Sequence, residues 1–184
     1  PFEFNNDQNS IGDGSLYVFP IAAAPPQDKM IAEYFINEPI TNVDDISYDF
    51  RIATPDATVE EHFYMSVYAN FGSSDDLKYY DCRYTVLPTV GSIGGFTTVT
   101  FDPTVAPYSV ATRTDNLGTP AINEASPFAC PATPAGMETL SAGSNIRMVS
   151  LSVGDTSPSD AGISGYLDKV VVDLDSSITT YDFE

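Results

Sequence analysis

The sequence predicts an all-β protein, a two-sheet antiparallel jelly-roll-like β-sandwich with at most one short helix. Three observations carry this prediction. Apolar residues recur with period two in short runs along the chain, the mark of strands with one buried face. The 12 glycines and 14 prolines are spread between those runs, where they mark turns. No spacing of strand, helix and strand suggests a parallel unit, so the strands are expected to pair antiparallel. At 184 residues the chain is read as a single domain, 1–184, long enough to bury a sizeable core.

Phe2-Glu3-Phe4 is a short alternating strand, and an Asx- and Gly-rich loop follows over residues 5–14. Residues 15–19 read as a second strand, closed by Pro20 and by the Pro25-Pro26 pair. Residues 29–36 suit strand or helix; Tyr34, Phe35 and Ile36 favour strand. Ile46, Tyr48, Phe50 and Ile52 alternate with Ser47, Asp49 and Arg51, which predicts a half-buried strand with one wet face. Phe63, Met65, Val67, Ala69 and Phe71 repeat the pattern, with Tyr64, Ser66, Tyr68 and Asn70 opposite. A turn at 72–76 leads into a strand over 79–87, and a Thr-rich strand is expected over 96–101.

Residues 103–134 show no strong period and are expected to form a long surface excursion. A short helix is expected within 135–142. Residues 145–153 alternate again, with Val149, Leu151 and Val153 together. The closing strand places Tyr166, Asp168, Val170, Val172 and Leu174 on one parity. A last strand follows near Thr180, and eight to ten strands are expected in all.

Seven basic residues stand against 26 acidic ones, a formal charge of −19. That excludes a nucleic-acid partner, because phosphate contacts need Lys and Arg. An anionic membrane surface would repel the chain, and no apolar run is long enough for a spanning helix. Cations, neutral polymers and basic surfaces remain as partners, and the charge also suits a saline or extracellular setting. The chain opens at Pro1 without an initiator methionine, as a processed chain would. Cys82 and Cys130 suit one disulfide, closing a loop of 48 residues worth roughly 4 kcal/mol of chain entropy; two buried thiols are the alternative.

The segment Tyr166-Leu167-Asp168-Lys169-Val170-Val171-Val172, followed by Thr180-Tyr181-Asp182-Phe183-Glu184, resembles the closing strands of bacterial extracellular jelly-roll domains of uncharacterised function. Phe2-Glu3-Phe4 and Gly12-Asp13-Gly14-Ser15-Leu16 resemble their opening. The layout is similar to carbohydrate-binding-module sandwiches, and the resemblance implies a structural Ca²⁺ between Glu3 and Asp168. The chain has no Trp, the residue on which many such modules stack sugars, so tyrosine would have to serve.

Asp168 shares its parity with apolar residues, and a carboxylate there needs a cation, an Arg or Lys, or hydrogen bonds. Asp7 and Asp13 add oxygen ligands near the first strand, and Ca²⁺ prefers such donors. Asn5, Asp7 and Asn9 have the start of a calcium-loop spacing, but Ser10 and Leu16 stand where an EF-hand needs Gly and Glu. An Asx-rich turn satisfying its own backbone is the alternative, and the acidic loop at 155–160 is a weaker site. Tyr64, Tyr68 and Tyr79 are the candidate ligand-stacking residues, the alternative being ordinary packing under a loop.

Catalytic signatures are sparse. His62 is the only histidine and stands beside Glu60 and Glu61, where a solvated position is expected. No nucleophile elbow, phosphate loop or Cys-x-x-Cys occurs. The expected function is a secreted or cell-surface, non-catalytic module, cation-stabilised, that binds a glycan or surface polymer in adhesion. A fibre or surface-layer subunit assembled by strand addition at Phe2-Glu3-Phe4 or residues 180–184 is the alternative. A glycan-active hydrolase built on paired carboxylates is a third reading.

Overall fold

A computed structural model of the chain describes residues 2–5, 15–18, 30–53, 63–71, 80–88, 95–105, 109–112, 130–131, 144–153 and 164–182. These form eleven strands: β1 (Phe2–Asn5), β2 (Ser15–Val18), β3 (Met30–Pro39), β4 (Val43–Ile52), β5 (Phe63–Phe71), β6 (Cys82–Val86), β7 (Thr97–Phe101), β8 (Ser109–Thr112), β9 (Ser144–Val153), β10 (Gly165–Leu174) and β11 (Ser177–Tyr181). A one-turn 3-10 helix, Ile40–Asn42, joins β3 to β4. The expected helix within 135–142 lies outside the described residues.

The strands make two antiparallel sheets. The first runs β1-β2-β10-β4-β7, with β11 also paired to β10; the second runs β3-β9-β5-β6-β8. Strand β4 takes one edge of β10 along its length, from Gly165↔Ile52 to Leu174↔Val43. The other edge of β10 is shared: β2 pairs Gly165 to Leu167, and β11 pairs Val170 to Leu174. Strand β8 is a correction to the sequence reading, which left 103–134 without a strand. Its four residues, Ser-Val-Ala-Thr, are too few to display a period; they are a strand because Cys82 to Thr85 offer a ladder partner.

The core lies between the sheets. Ile46, Tyr48, Phe50 and Ile52 of β4 face Phe63, Met65, Val67 and Ala69 of β5, and all eight are buried. Phe50 stacks on Phe63 across the sandwich at 5.4 Å, and Tyr84 meets Phe101 at 6.0 Å. Such ring pairs each add about 0.5–1.5 kcal/mol beyond their buried area. The Tyr48 hydroxyl is wholly buried and donates to the Phe63 carbonyl at 2.8 Å, a hydrogen bond that crosses from one sheet to the other. Burial pushes that phenol's pKa well above its usual value.

Four register breaks shape the sheets, one of them between Asp173 and Leu174 of β10, which pair with Asp45 and Val43. In β3 the break between Phe35 and Glu38 contains Asn37 in the left-handed region, φ 56°, with its Oδ1 accepting from Arg147 Nη1 at 2.8 Å. In β9 Arg147 is the extra residue between Met148↔Tyr68 and Ile146↔Ala69, which turns Met148 away from the main core and Ile146 into it. In β10 the other break falls between Asp168 and Val170 and re-aims the strand's first half.

Cys82 and Cys130 are joined in a disulfide that ties residue 130 to the start of β6. Among the described residues no helix is long and apolar enough to cross a membrane.

Candidate functional site

The break after Asp168 in β10 corrects the expectation that Tyr166 and Asp168 share the core face with Val170. Leu167 pairs with Phe50 and is wholly buried in the core; Val170 pairs with Tyr48. Lys169 is the extra residue between them. A bulge adds one residue to one strand and so inverts parity across it. Tyr166 and Asp168 therefore lie on the outer face of the first sheet, with Arg51 and Asp49 opposite.

Asp168 is wholly buried on that outer face, and Asp49 retains 5% exposure. Two carboxylates facing each other across a ladder repel unless their charges are met. The bulge meets them locally. The Lys169 amide donates to Asp168 Oδ1 at 2.7 Å, and the Lys169 ammonium stands 3.3 Å from Asp49 Oδ2. Thr98 Oγ1 donates to Asp49 Oδ1 at 2.6 Å from the neighbouring strand β7. The Lys169 ammonium thus lies against Asp49, the residue that faces Asp168 across the ladder.

The register also locates Glu3. It pairs with Tyr17, and Tyr17 pairs with Tyr166. Glu3 and Asp168 thus occupy one face, two strands and two residues apart, on the order of 12 Å between Cα atoms. Their cross-strand neighbours are Tyr17 and Asp49. The Glu3 side chain, Asp7, Asp13 and the 155–160 loop lie outside the described residues.

Beside the aspartates a row of planar groups crosses the same face. The Tyr17 and Tyr166 rings lie 4.9 Å apart, and the Arg51 guanidinium sits over Tyr166 at 5.5 Å. All three residues are half-buried. The sequence hid this row because the parity that put Tyr166 inside was wrong. Its discoverable signal was Arg51, a cation among the polar positions of β4.

On the second sheet Tyr64 and Tyr68 share the outer face with Ser66, as expected, and both are half-buried. Tyr68 meets Tyr80 edge-on at 4.9 Å. Ser66, Ser150, Ser152 and Met148 on this face are buried, at 1–2% exposure. Tyr79 and His62 lie outside the described residues.

An acidic concavity at one end of β4 was not anticipated. The cavity, about 470 Å³, is lined by Asp44, Asp45, Asp102, Thr104, Thr41 and Ile40, among others. Register explains the gathering: Ile46 pairs with Phe101, which brings Asp45 beside Asp102, and Asp173 of β10 pairs with Asp45. Burial, then the charges of Asp173, Asp102 and Asp44, raise the Asp45 carboxyl above its ordinary value. Asp102 Oδ1 accepts from the Thr104 amide and hydroxyl at 2.7 and 2.6 Å. Carboxylate and hydroxyl oxygens are the donor type a hard cation prefers. Among the described residues, however, no three acidic, His or Cys side chains converge closely enough to hold a metal ion.

No protein-family model matches the chain, and no curated protein matches it.

Proposed function

We propose that the chain is a non-catalytic, extracellular jelly-roll module that binds a glycan or other surface polymer in adhesion and is stabilised by divalent cations such as Ca²⁺. The observation that carries it is the Tyr17–Tyr166–Arg51 row on the outer face of the first sheet. Half-buried tyrosines stack sugar rings, and a guanidinium beside them supplies hydrogen-bond donors for hydroxyls or carboxylates. The strand order supports the jelly-roll reading: β2-β10-β4-β7 faces β3-β9-β5-β6, the chain alternating between sheets from β2 to β5. The disulfide accords with an oxidising compartment outside the cytosol. The acidic cavity supplies the place where weakly held cations would relieve like charge.

The test is binding to a panel of neutral and uronic-acid polysaccharides, with and without millimolar Ca²⁺. Binding is expected to fall at least tenfold in Tyr166→Ala and to survive in a Tyr64→Ala, Tyr68→Ala double variant. The reverse ranking would move the site to the second sheet. No binding to any polysaccharide together with no thermal shift in Ca²⁺ would reject the reading.

A further inference from the structure

Strand β11 is exposed at every one of its five residues, including Ile178 at 67% and Tyr181 at 41%. Among the described residues it pairs only with β10. Because β4 and β2 occupy the other places on β10, the outer edge of β11 is, among the described residues, a strand position left open, in line with β1.

Edge strands are ordinarily protected by charge, proline, bulges or covering elements. The other edge strands whose side chains are described show such devices. β3 carries Glu33, Glu38, Pro39 and a register break at left-handed Asn37. β7 has Val99 and Phe101 buried against the core, and its end folds back through the Asp102↔Val105 bridge. β11 reads Ser-Ile-Thr-Thr-Tyr, without a charge, proline or glycine, and its ladder to β10 is unbroken from Tyr181 to Ser177. It is also held in place. The Tyr181 ring meets Tyr34 of β3 at 5.3 Å, which anchors the edge of one sheet to the edge of the other. Burial and the neighbouring Tyr181 push the Tyr34 phenol up to about 12, so it stays neutral there.

We propose that the open edge of β11 pairs antiparallel with β11 of a second copy, joining two first sheets into one continuous sheet about a two-fold axis at Thr179. The uncharged sequence of β11 fits this occupant. Two chains of −19 repel each other over most of their surfaces, and a contact between them needs an uncharged, self-complementary patch. Turned on itself about Thr179, the strand sets Ile178 opposite Thr180 of the second copy and Ser177 opposite Tyr181, with no charged pair in the ladder. Alternate residues of an antiparallel edge present their backbone groups outward, so this register lets the two edges exchange hydrogen bonds.

The long-range repulsion gives the association a distinctive salt response. The Debye length falls from about 8 Å at 0.15 M salt to about 3 Å at 1 M, so the dimer strengthens with salt. Sedimentation equilibrium of the chain at both salt concentrations tests this. A reversible monomer–dimer equilibrium, tighter at 1 M, is expected. Ile178→Lys and, separately, Thr180→Lys add a like charge to the ladder of each copy and should leave only monomer, with far-UV circular dichroism unchanged. Thr180→Lys decides the matter should Ile178→Lys not fold. A wild-type monomer at both salt concentrations overturns the proposal. So does a dimer, or a longer polymer, that both lysine variants form as readily as wild type. Polysaccharide binding is measured separately at concentrations where the chain is monomeric, so either reading can fail alone.

Discussion

Lys169 does two jobs from one position. Its amide holds Asp168, and its ammonium, with 24% side-chain exposure, holds Asp49. Removing one partner of a buried pair leaves a charge without compensation, and the partial exposure of Lys169 discounts the cost to about 1–3 kcal/mol. Lys169→Met should therefore lower the melting temperature, and adding Asp49→Asn should restore part of the loss. The double-mutant cycle in thermal melts reads that coupling directly; additive losses would show that the ammonium contributes nothing to Asp49. The sequence made Asp168 conspicuous, since a carboxylate within Tyr-x-Asp-x-Val-x-Val demanded a partner. It did not disclose which face the residue takes. A bulge leaves no trace in a period-two pattern when apolar residues fill both parities, as Leu167, Val170, Val171 and Val172 do. Tyr48 shows the opposite case: its strand alternates cleanly, and the buried position expected for it is the one it has.

Strand β10 is the element on which the first sheet depends, because β2, β4 and β11 all pair with it. It begins at Gly165, packed against Phe63 of the second sheet. A methyl group on Gly165 would stand 2.5 Å from the Arg51 carbonyl oxygen and 2.6 Å from the Phe63 ring. The first of these contacts is with backbone and the second with a fully buried ring, so neither has room to retreat. Gly165→Ala should cost about 1–3 kcal/mol through overpacking, seen as a lower urea midpoint with an unchanged slope. An unaltered midpoint would mean that β10 shifts freely at this end. Most strands were legible because each long one repeats a single parity over five or more residues. β8 was not, and neither was the acidic cavity. Asp44 and Asp45 lie far along the chain from Asp102 and further still from Asp173, and only the β4–β7 and β4–β10 registers bring them together.

For the molecule as a whole, the buried core must hold against a net charge of −19. The disulfide helps by restricting the unfolded chain: its 48-residue separation corresponds to roughly 4 kcal/mol, so reduction should lower the melting temperature by roughly 8–16 °C. Self-repulsion acts the other way, and Asp45, with Asp173, Asp102 and Asp44 around it, is one place where it gathers. The folded state holds the Asp45 proton more tightly than the unfolded state does, because burial and three neighbouring carboxylates disfavour its charge. By linkage, the stability associated with that proton is complete below the ordinary aspartate value of 3.8 and is lost as pH rises through the higher folded value. Asp45→Asn removes the charge without removing the shape. Its melting temperature should match wild type in acid below that value and exceed it at neutral pH, the gap narrowing in high salt as Asp173, Asp102 and Asp44 are screened. Calcium should raise wild type more than it raises Asp45→Asn, since part of its benefit is relief of the same repulsion. A variant less stable than wild type at neutral pH would show that Asp45 is held by a favourable partner, and equal calcium shifts in both proteins would place the cation away from this cavity.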